Sequence, residues 1–186
     1  SCPYSAISNA SATGTLYEGY IIFQMASNST EYWTIDFNYL VNNNSYTVTD
    51  TVAVNEQSKQ QMITFLGADS VKYLIAMVEP QAPKTGINDM TAMVCKMQDM
   101  MTFPIVNNYV VKIDPRMPSM GNHGSPNNED LKQNTSDKMY HGKLTLTMTG
   151  YWKINLQLLD ANNNVLKGEA VTDMNESSSI FFEVEI

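Results

Sequence analysis

The sequence predicts an all-β protein, a tandem of immunoglobulin-like β-sandwiches whose first copy is incomplete. Three observations lead to that class. Apolar residues alternate at period two along short segments that Asn, Gly and Pro interrupt. No segment shows a convincing long helical pattern. One hairpin is written twice: Pro3, Tyr17, Gly19, Ile21, Phe23 and Met25 fall in register on Pro126, Tyr140, Gly142, Leu144, Leu146 and Met148. After a four-residue insertion, Tyr32-Trp33, Ile35 and Phe37 fall on Tyr151-Trp152, Ile154 and Leu156, with the asparagine runs 42–44 and 162–164 close behind. A duplication of this kind has to be recognised before single elements are assigned.

The elements follow in order. In the first copy Ile21, Phe23 and Met25 alternate with Tyr20, Ile22 and Gln24, and Trp33, Ile35, Phe37 and Tyr39 share one face of the next strand. Segments 46–54, 71–78, 90–97, 109–113 and 180–186 are rich in β-branched and aromatic residues and read as further strands. In 143–149, Leu144, Leu146 and Met148 alternate with threonines, a strand with one wet face. Gly150 turns it into the next, where Trp152, Ile154, Leu156 and Leu158 alternate with Lys153, Asn155 and Gln157. From residue 71 to the end there are enough strands for one immunoglobulin-like sandwich. The polar segment 57–61 marks the junction, giving a partial copy over 1–61 and a complete sandwich over 62–186. Counterparts of 71–78, 90–97 and 109–113 would lie before Ser1. The first strands are therefore expected to have been removed, the alternatives being supply by another molecule or a different packing.

Bulk composition narrows the function classes. The chain has 186 residues, 43% of them hydrophobic, enough for one good core or two modest ones. Its formal net charge of −8 repels nucleic-acid backbones and anionic membranes, so neither is an expected partner. No apolar run approaches the roughly 20 residues of a transmembrane helix, so no transmembrane segment is expected. Only two histidines are present, His123 and His141, and there is no Gly-x-Ser-x-Gly, phosphate-loop or His-Glu-x-x-His segment. Carboxylates such as Asp89, Asp99, Glu129 and Asp130 are scattered through turns. The expectation is a protein that is not an enzyme.

The densest motif is Asp114-Pro115-Arg116-Met117-Pro118-Ser119-Met120-Gly121-Asn122-His123. It is preceded by Pro83-Lys84-Thr85-Gly86-Ile87-Asn88 leading into a strand, and followed by Tyr140-His141-Gly142 and Met148-Thr149-Gly150-Tyr151-Trp152. In this order and spacing, residues 71–186 resemble the YtkA-like family of bacterial cell-envelope domains, which is related to FixH. The resemblance implies an immunoglobulin-like sandwich and a secreted or envelope-anchored location. It further implies an association with copper or other heavy-metal handling, and no catalytic activity. Many relatives carry a second histidine near the methionines, whereas Gly124-Ser125-Pro126 follows His123 here and thins the ligand set.

Thioether sulfur is a soft, uncharged ligand suited to Cu(I), and imidazole serves copper and zinc. Met117, Met120 and His123, three residues apart in a Pro- and Gly-rich stretch, can fold back into a three-coordinate Cu(I) site, with His141 approaching from the hairpin. The packing alternative is that Met117 and Met120 plug the open end of the sandwich. Met90, Met93, Met97, Met100 and Met101 surround Cys95; Met93, Cys95 and Met97 share a strand face, which is expected to be core. Cys2 and Cys95 are two unrelated thiols, one bridge, or a lipid-modified Cys2 beside a buried thiol. Trp33 and Trp152 are expected in sandwich interiors rather than as a sugar platform, and Tyr17 and Tyr140 to satisfy local backbone hydrogen bonds. Asp114 and Arg116 either clamp the loop base or form a surface pair. Sequons at Asn9, Asn28, Asn43, Asn134 and Asn175 read as accidents of an Asn- and Ser-rich composition. Two functions are carried forward. One is a cell-envelope copper-handling protein with a metal ion or an envelope protein as partner; the other is a structural or adhesive module for a protein or glycan.

Overall fold

The computed structural model describes residues 3–11, 14–100 and 102–186, with side chains from residue 19 onward. Cys2, Met101 and the side chains of Asn9 and Tyr17 lie outside the described residues. The protein is all-β. The strands are β1 (Pro3–Ser11), β2 (Gly14–Ile21), β3 (Trp33–Val41), β4 (Asn44–Val52), β5 (Met62–Leu66), β6 (Lys72–Glu79) and β7 (Gly86–Lys96). There follow β8 (Val110–Met117), β9 (His123–Gly124), β10 (Glu129–Gln133), β11 (Tyr140–Leu146), β12 (Tyr151–Leu159), β13 (Val165–Lys167) and β14 (Phe181–Glu185). The one helical turn described is a 3₁₀ turn at Pro118–Met120. No helix among the described residues is long and apolar enough to cross a membrane.

Two compact units result, Ser1–Ile22 with Lys59–Ile186, and Phe23–Ser58. The division expected from sequence, 1–61 and 62–186, differs in where the first residues go. In the larger unit the strand order is β13-β12-β8-β10-β11-β7-β6-β5, with β14 also paired to β12 and β9 to β8, all antiparallel. This path curls into a sandwich that nearly closes as a barrel. Gln60, just before β5, accepts the Glu183 N–H at 2.8 Å and donates its side-chain amide to the Phe181 carbonyl at 2.8 Å. Its own N–H goes to the Glu183 carboxylate at 2.8 Å.

The core reads out the period-two pattern. From β12, Trp152, Ile154, Leu156 and Leu158 point inward, and Leu144 and Leu146 of β11 and Val111 of β8 meet them, all fully buried. Strand β7 is buried on both faces. Met90, Ala92 and Val94 join that core, while Met93 and Cys95 join a second cluster with Leu74, Ala76, Phe103 and Met139. Tyr20 and Ile22 pack on this second cluster, which is why the first residues belong to the larger unit. Strand β2 ends at Ile21, so Phe23 and Met25 leave the strand expected for them.

The two tryptophan segments that match in sequence also share local hydrogen bonding. The Trp33 indole N–H donates to the Met25 carbonyl at 2.9 Å, and the Trp152 indole N–H to the Met148 carbonyl at 3.0 Å. Trp33 stands opposite Val52 across β3–β4, as Trp152 stands opposite Val184 across β12–β14. Two residues further on, Ser27 N–H reaches the Val54 carbonyl and Gly150 N–H the Ile186 carbonyl, both at 2.8 Å. The environments differ: Trp152 is fully buried, whereas Trp33 is half-buried.

Gly142 has a steric reason. A Cβ there would stand 2.3 Å from the Glu129 carbonyl oxygen and 2.8 Å from Leu131 Cδ2, where the β10–β11 register shifts. Gly142→Ala is expected to cost about 1–3 kcal/mol by overpacking, read as a lower urea midpoint with an unchanged m-value. The closure seam gives a pH prediction. The Tyr151 hydroxyl, 2.6 Å from the Glu183 carboxylate, and then the Gln60 N–H hold that carboxyl below the usual glutamate value of 4.5. A depressed folded pKa stabilises above the unfolded value, and that stability is lost as pH falls through the folded one. Thermal melts of the native protein should therefore fall away below about pH 4.5, and Glu183→Gln should flatten that acid limb.

Candidate functional site

Strand β8 ends at Met117, the 3₁₀ turn Pro118–Met120 follows, and β9 folds back on β8. Pro118 supplies the fixed φ of the turn's first position, and Gly121 and Asn122 adopt left-handed φ values of 64° and 58° to reverse the chain. Arg116 then faces Gly124 and Met117 faces His123. Directly opposed residues of an antiparallel pair project to the same side with Cβ atoms about 4.5–5.5 Å apart. Met117 and His123 are thus cross-strand neighbours, and Met120 closes the turn between them.

Their exposures differ. Met117 is 2% exposed and belongs to the main core, where its Cε would lie 3.1 Å from a Cβ at Gly150. Met120 is 58% exposed, and His123 is exposed. One thioether forms the floor of the loop; the second thioether and the imidazole form its rim. Among the described residues no three His, Cys, Asp or Glu side chains gather as a metal site; the donors this loop carries are two thioethers and an imidazole.

The loop base is clamped. Arg116 Nε and Nη2 donate to Asp114 Oδ1 and Oδ2 at 2.7 and 3.0 Å, a bidentate pair, and Nη1 reaches the Asn122 carbonyl at 3.5 Å. The carboxylate hydrogen bond raises the Arg116 pKa further above its ordinary value. A Cβ at Gly124 would be 3.1 Å from Arg116 Nη1, so the guanidinium lies directly over the glycine. Asn122 Nδ2 donates to the Glu176 carbonyl at 2.9 Å and ties the turn to the loop before β14. Beside it is a cleft of about 360 Å³ lined by Pro118, Gly121, Asn122, Lys153, Glu176 and Ser177. No sequence motif announces the Asn122–Glu176 tie, because its partner is a backbone carbonyl.

His141 lies elsewhere. It is opposite Lys132 on β10, and Lys132 is opposite Val110 at the start of β8. Val110 and Met117 are seven residues apart, about 23 Å of strand. His141 Nε2 is 2.8 Å from Asp137 Oδ2, and its Nδ1 is 3.3 Å from Thr91 Oγ1. The structure places Met117, Met120 and His123 on one turn, with Met117 buried and the other two exposed, and puts His141 at the far end of the sheet.

The second methionine group is core. Met90 and Met93 are fully buried, Met97 packs on the second cluster, and Met100 is exposed. Cys95 is disulfide-bonded and offers no thiolate. The Tyr140 hydroxyl donates to the Val106 carbonyl at 2.8 Å and accepts the Tyr109 N–H at 3.3 Å. Its partners are distant in sequence rather than local, and burial pushes its phenol up to about 12.

Comparison with family models, with curated proteins and with solved structures finds no match to this chain. The loop's own geometry yields a prediction. Arg116→Lys removes the bidentate fork, so amide exchange at residues 121–124 should speed up while global stability falls by no more than about 1 kcal/mol.

Proposed function

We propose that this protein is a non-catalytic, extracytoplasmic metal-handling domain that holds Cu(I) at Met117, Met120 and His123, for buffering or for transfer to another envelope protein. The observation that carries the reading is the cross-strand register of Met117 and His123, with Met120 in the turn that joins them. Two thioethers and an imidazole match a soft monovalent ion. A methionine at the edge of a core is flexible enough to turn its sulfur toward the rim. His141, at the other end of the sheet, takes no part.

The cysteine chemistry supports the extracytoplasmic part of this reading. Disulfides persist in oxidising compartments such as the periplasm or the cell surface, and Cys95 is bridged. The non-catalytic reading rests on the sequence, which carries no Gly-x-Ser-x-Gly, phosphate-loop or His-Glu-x-x-His segment.

Competition titration with Cu(I) against a chelator tests the reading. The native protein should bind one equivalent. Met120→Leu with His123→Ala, which spares the buried Met117, should weaken binding by about tenfold or more, each tenfold being roughly 1.4 kcal/mol. His141→Ala should bind as the native protein does. Unchanged affinity in the double variant ends the proposal.

A further inference from the structure

The hairpin β3–β4 has two unlike faces. On one, Thr34, Asp36 and Asn38 stand opposite Thr51, Thr49 and Thr47, with Thr49 Oγ1 on Asp36 and Thr47 Oγ1 on Asn38, both at 2.6 Å. On the other, Trp33 faces Val52, Phe37 faces Val48, and Tyr39 stacks on Tyr46 at 5.6 Å between ring centroids, with Asp50 opposite Ile35 the one charged residue on this mostly apolar face. This apolar face is open: Phe37 is 52% exposed, Tyr39 45% and Val48 50%. An isolated two-stranded hairpin is marginal in water, and a contiguous apolar patch of this kind marks an interaction surface.

The chain itself shows what covers such a face. Trp33, Ile35, Phe37 and Tyr39 match Trp152, Ile154, Leu156 and Leu158, each of which is fully buried. The hydrogen bonds around the two tryptophans are the same, and β4 stands to β3 as β14 stands to β12. The difference is on the other edge. There β12 is paired along its length with β8, from Lys153 opposite Arg116 to Leu159 opposite Val110. Among the described residues β3 pairs with β4 alone, so its second edge offers a row of free N–H and C=O groups. Edge strands are normally blunted by Lys, Pro or a bulge. Strand β3 has neither residue, and its register with β4 is unbroken.

Charge narrows the occupant further. Residues 23–58 carry Glu31, Asp36, Asp50 and Glu56 and no Lys or Arg. In the β12–β8 pair the residue matching Asp36 is Asn155, which faces Asp114. A strand laid on β3 in the same register would place that position against a carboxylate, where a cation is favoured and an aspartate is repelled.

We infer that the free edge and apolar face of β3 are a docking site for an antiparallel extended segment of another polypeptide, apolar at every second position and basic opposite Asp36. Main-chain hydrogen bonds along β3 supply affinity, and the alternating apolar side chains and the cation supply specificity. The residues involved are separate from the methionine loop, so this inference stands or falls apart from the metal reading.

The test uses a synthetic peptide reproducing residues 109–117 with Asp114→Lys, added to the whole protein without metal. Expected results are slowed amide exchange confined to 33–41 and a blue shift in Trp33 emission, Trp152 being already buried. The unaltered peptide should bind at least about tenfold more weakly, and Val111→Asp with Ile113→Asp in the peptide should abolish binding. In the protein, Phe37→Asp should abolish binding while leaving the Tm of the larger unit unchanged. The inference is overturned if no peptide protects 33–41 at millimolar concentration, or if Phe37→Asp binds as well as the native chain. Concentration-dependent protection of 33–41 without peptide, accompanied by dimers in sedimentation, also overturns it in favour of a second copy of the chain.

Discussion

A buried indole has one N–H to satisfy, and that requirement organises the complete sandwich. Trp152 is fully buried and donates to the Met148 carbonyl at 3.0 Å. Leaving such a donor unpaired would cost about 1–3 kcal/mol. The bond fixes the bend at 148–150, and Gly150 then exchanges hydrogen bonds with Ile186 at 2.8 and 3.2 Å, which seats β14 beside β12. Because residue 150 is glycine, the Met117 methyl fits against it. The floor of the candidate metal loop is thus set by a tryptophan on a neighbouring strand.

The first hairpin separates what local sequence dictates from what packing dictates. Trp33 makes the same bond to the carbonyl of the matching methionine, and the cross-strand partners correspond. Its turn is sharp because Asn42 and Asn43 take φ values of 50° and 64°, the left-handed pair a two-residue hairpin needs. Those features travel with the residues. Burial does not, because it depends on strands from elsewhere in the fold. An identical local geometry therefore ends with one indole enclosed and the other half-buried.

The sequence revealed the fold where alternation was strong and hid it where strands were short or one-sided. Strand β12 alternates four large apolar residues and could be read directly. Strand β10 has one apolar residue, Leu131, fully buried, so no period can be seen. Strand β5 directly follows the polar segment 57–61, and its five residues are too few to show a period. Spacing placed Met117, Met120 and His123 in one loop, but exposure was not legible: the register that sets His123 opposite Met117 also turns Met117 into the core. His141 shows the limit of proximity along the chain. It is eighteen residues from His123 in sequence, yet the β10–β11 pairing carries it to the level of Val110. The absence of basic residues between 23 and 58 was readable from composition; the open edge that gives it meaning was not.

Both candidate sites occur where the sandwich pattern stops short. Strand β9 covers only the last two residues of β8 before the chain turns away, which leaves Met120 and His123 at the rim instead of under a neighbouring strand. Strand β3 keeps the side chains of an interior strand, but β4 is its one partner among the described residues. A fully paired sheet has no main-chain donors or acceptors left for a ligand, and a strand lying over a side chain buries it. An incomplete one exposes them while the paired remainder holds them in place. In the loop that support is Asp114–Arg116, fixed between β8 and Gly124; in the hairpin it is the stacked Tyr39–Tyr46 pair and the Trp33 anchor. Both candidate sites are therefore edges of the sheet pattern, with rigidity supplied by strands that are themselves paired.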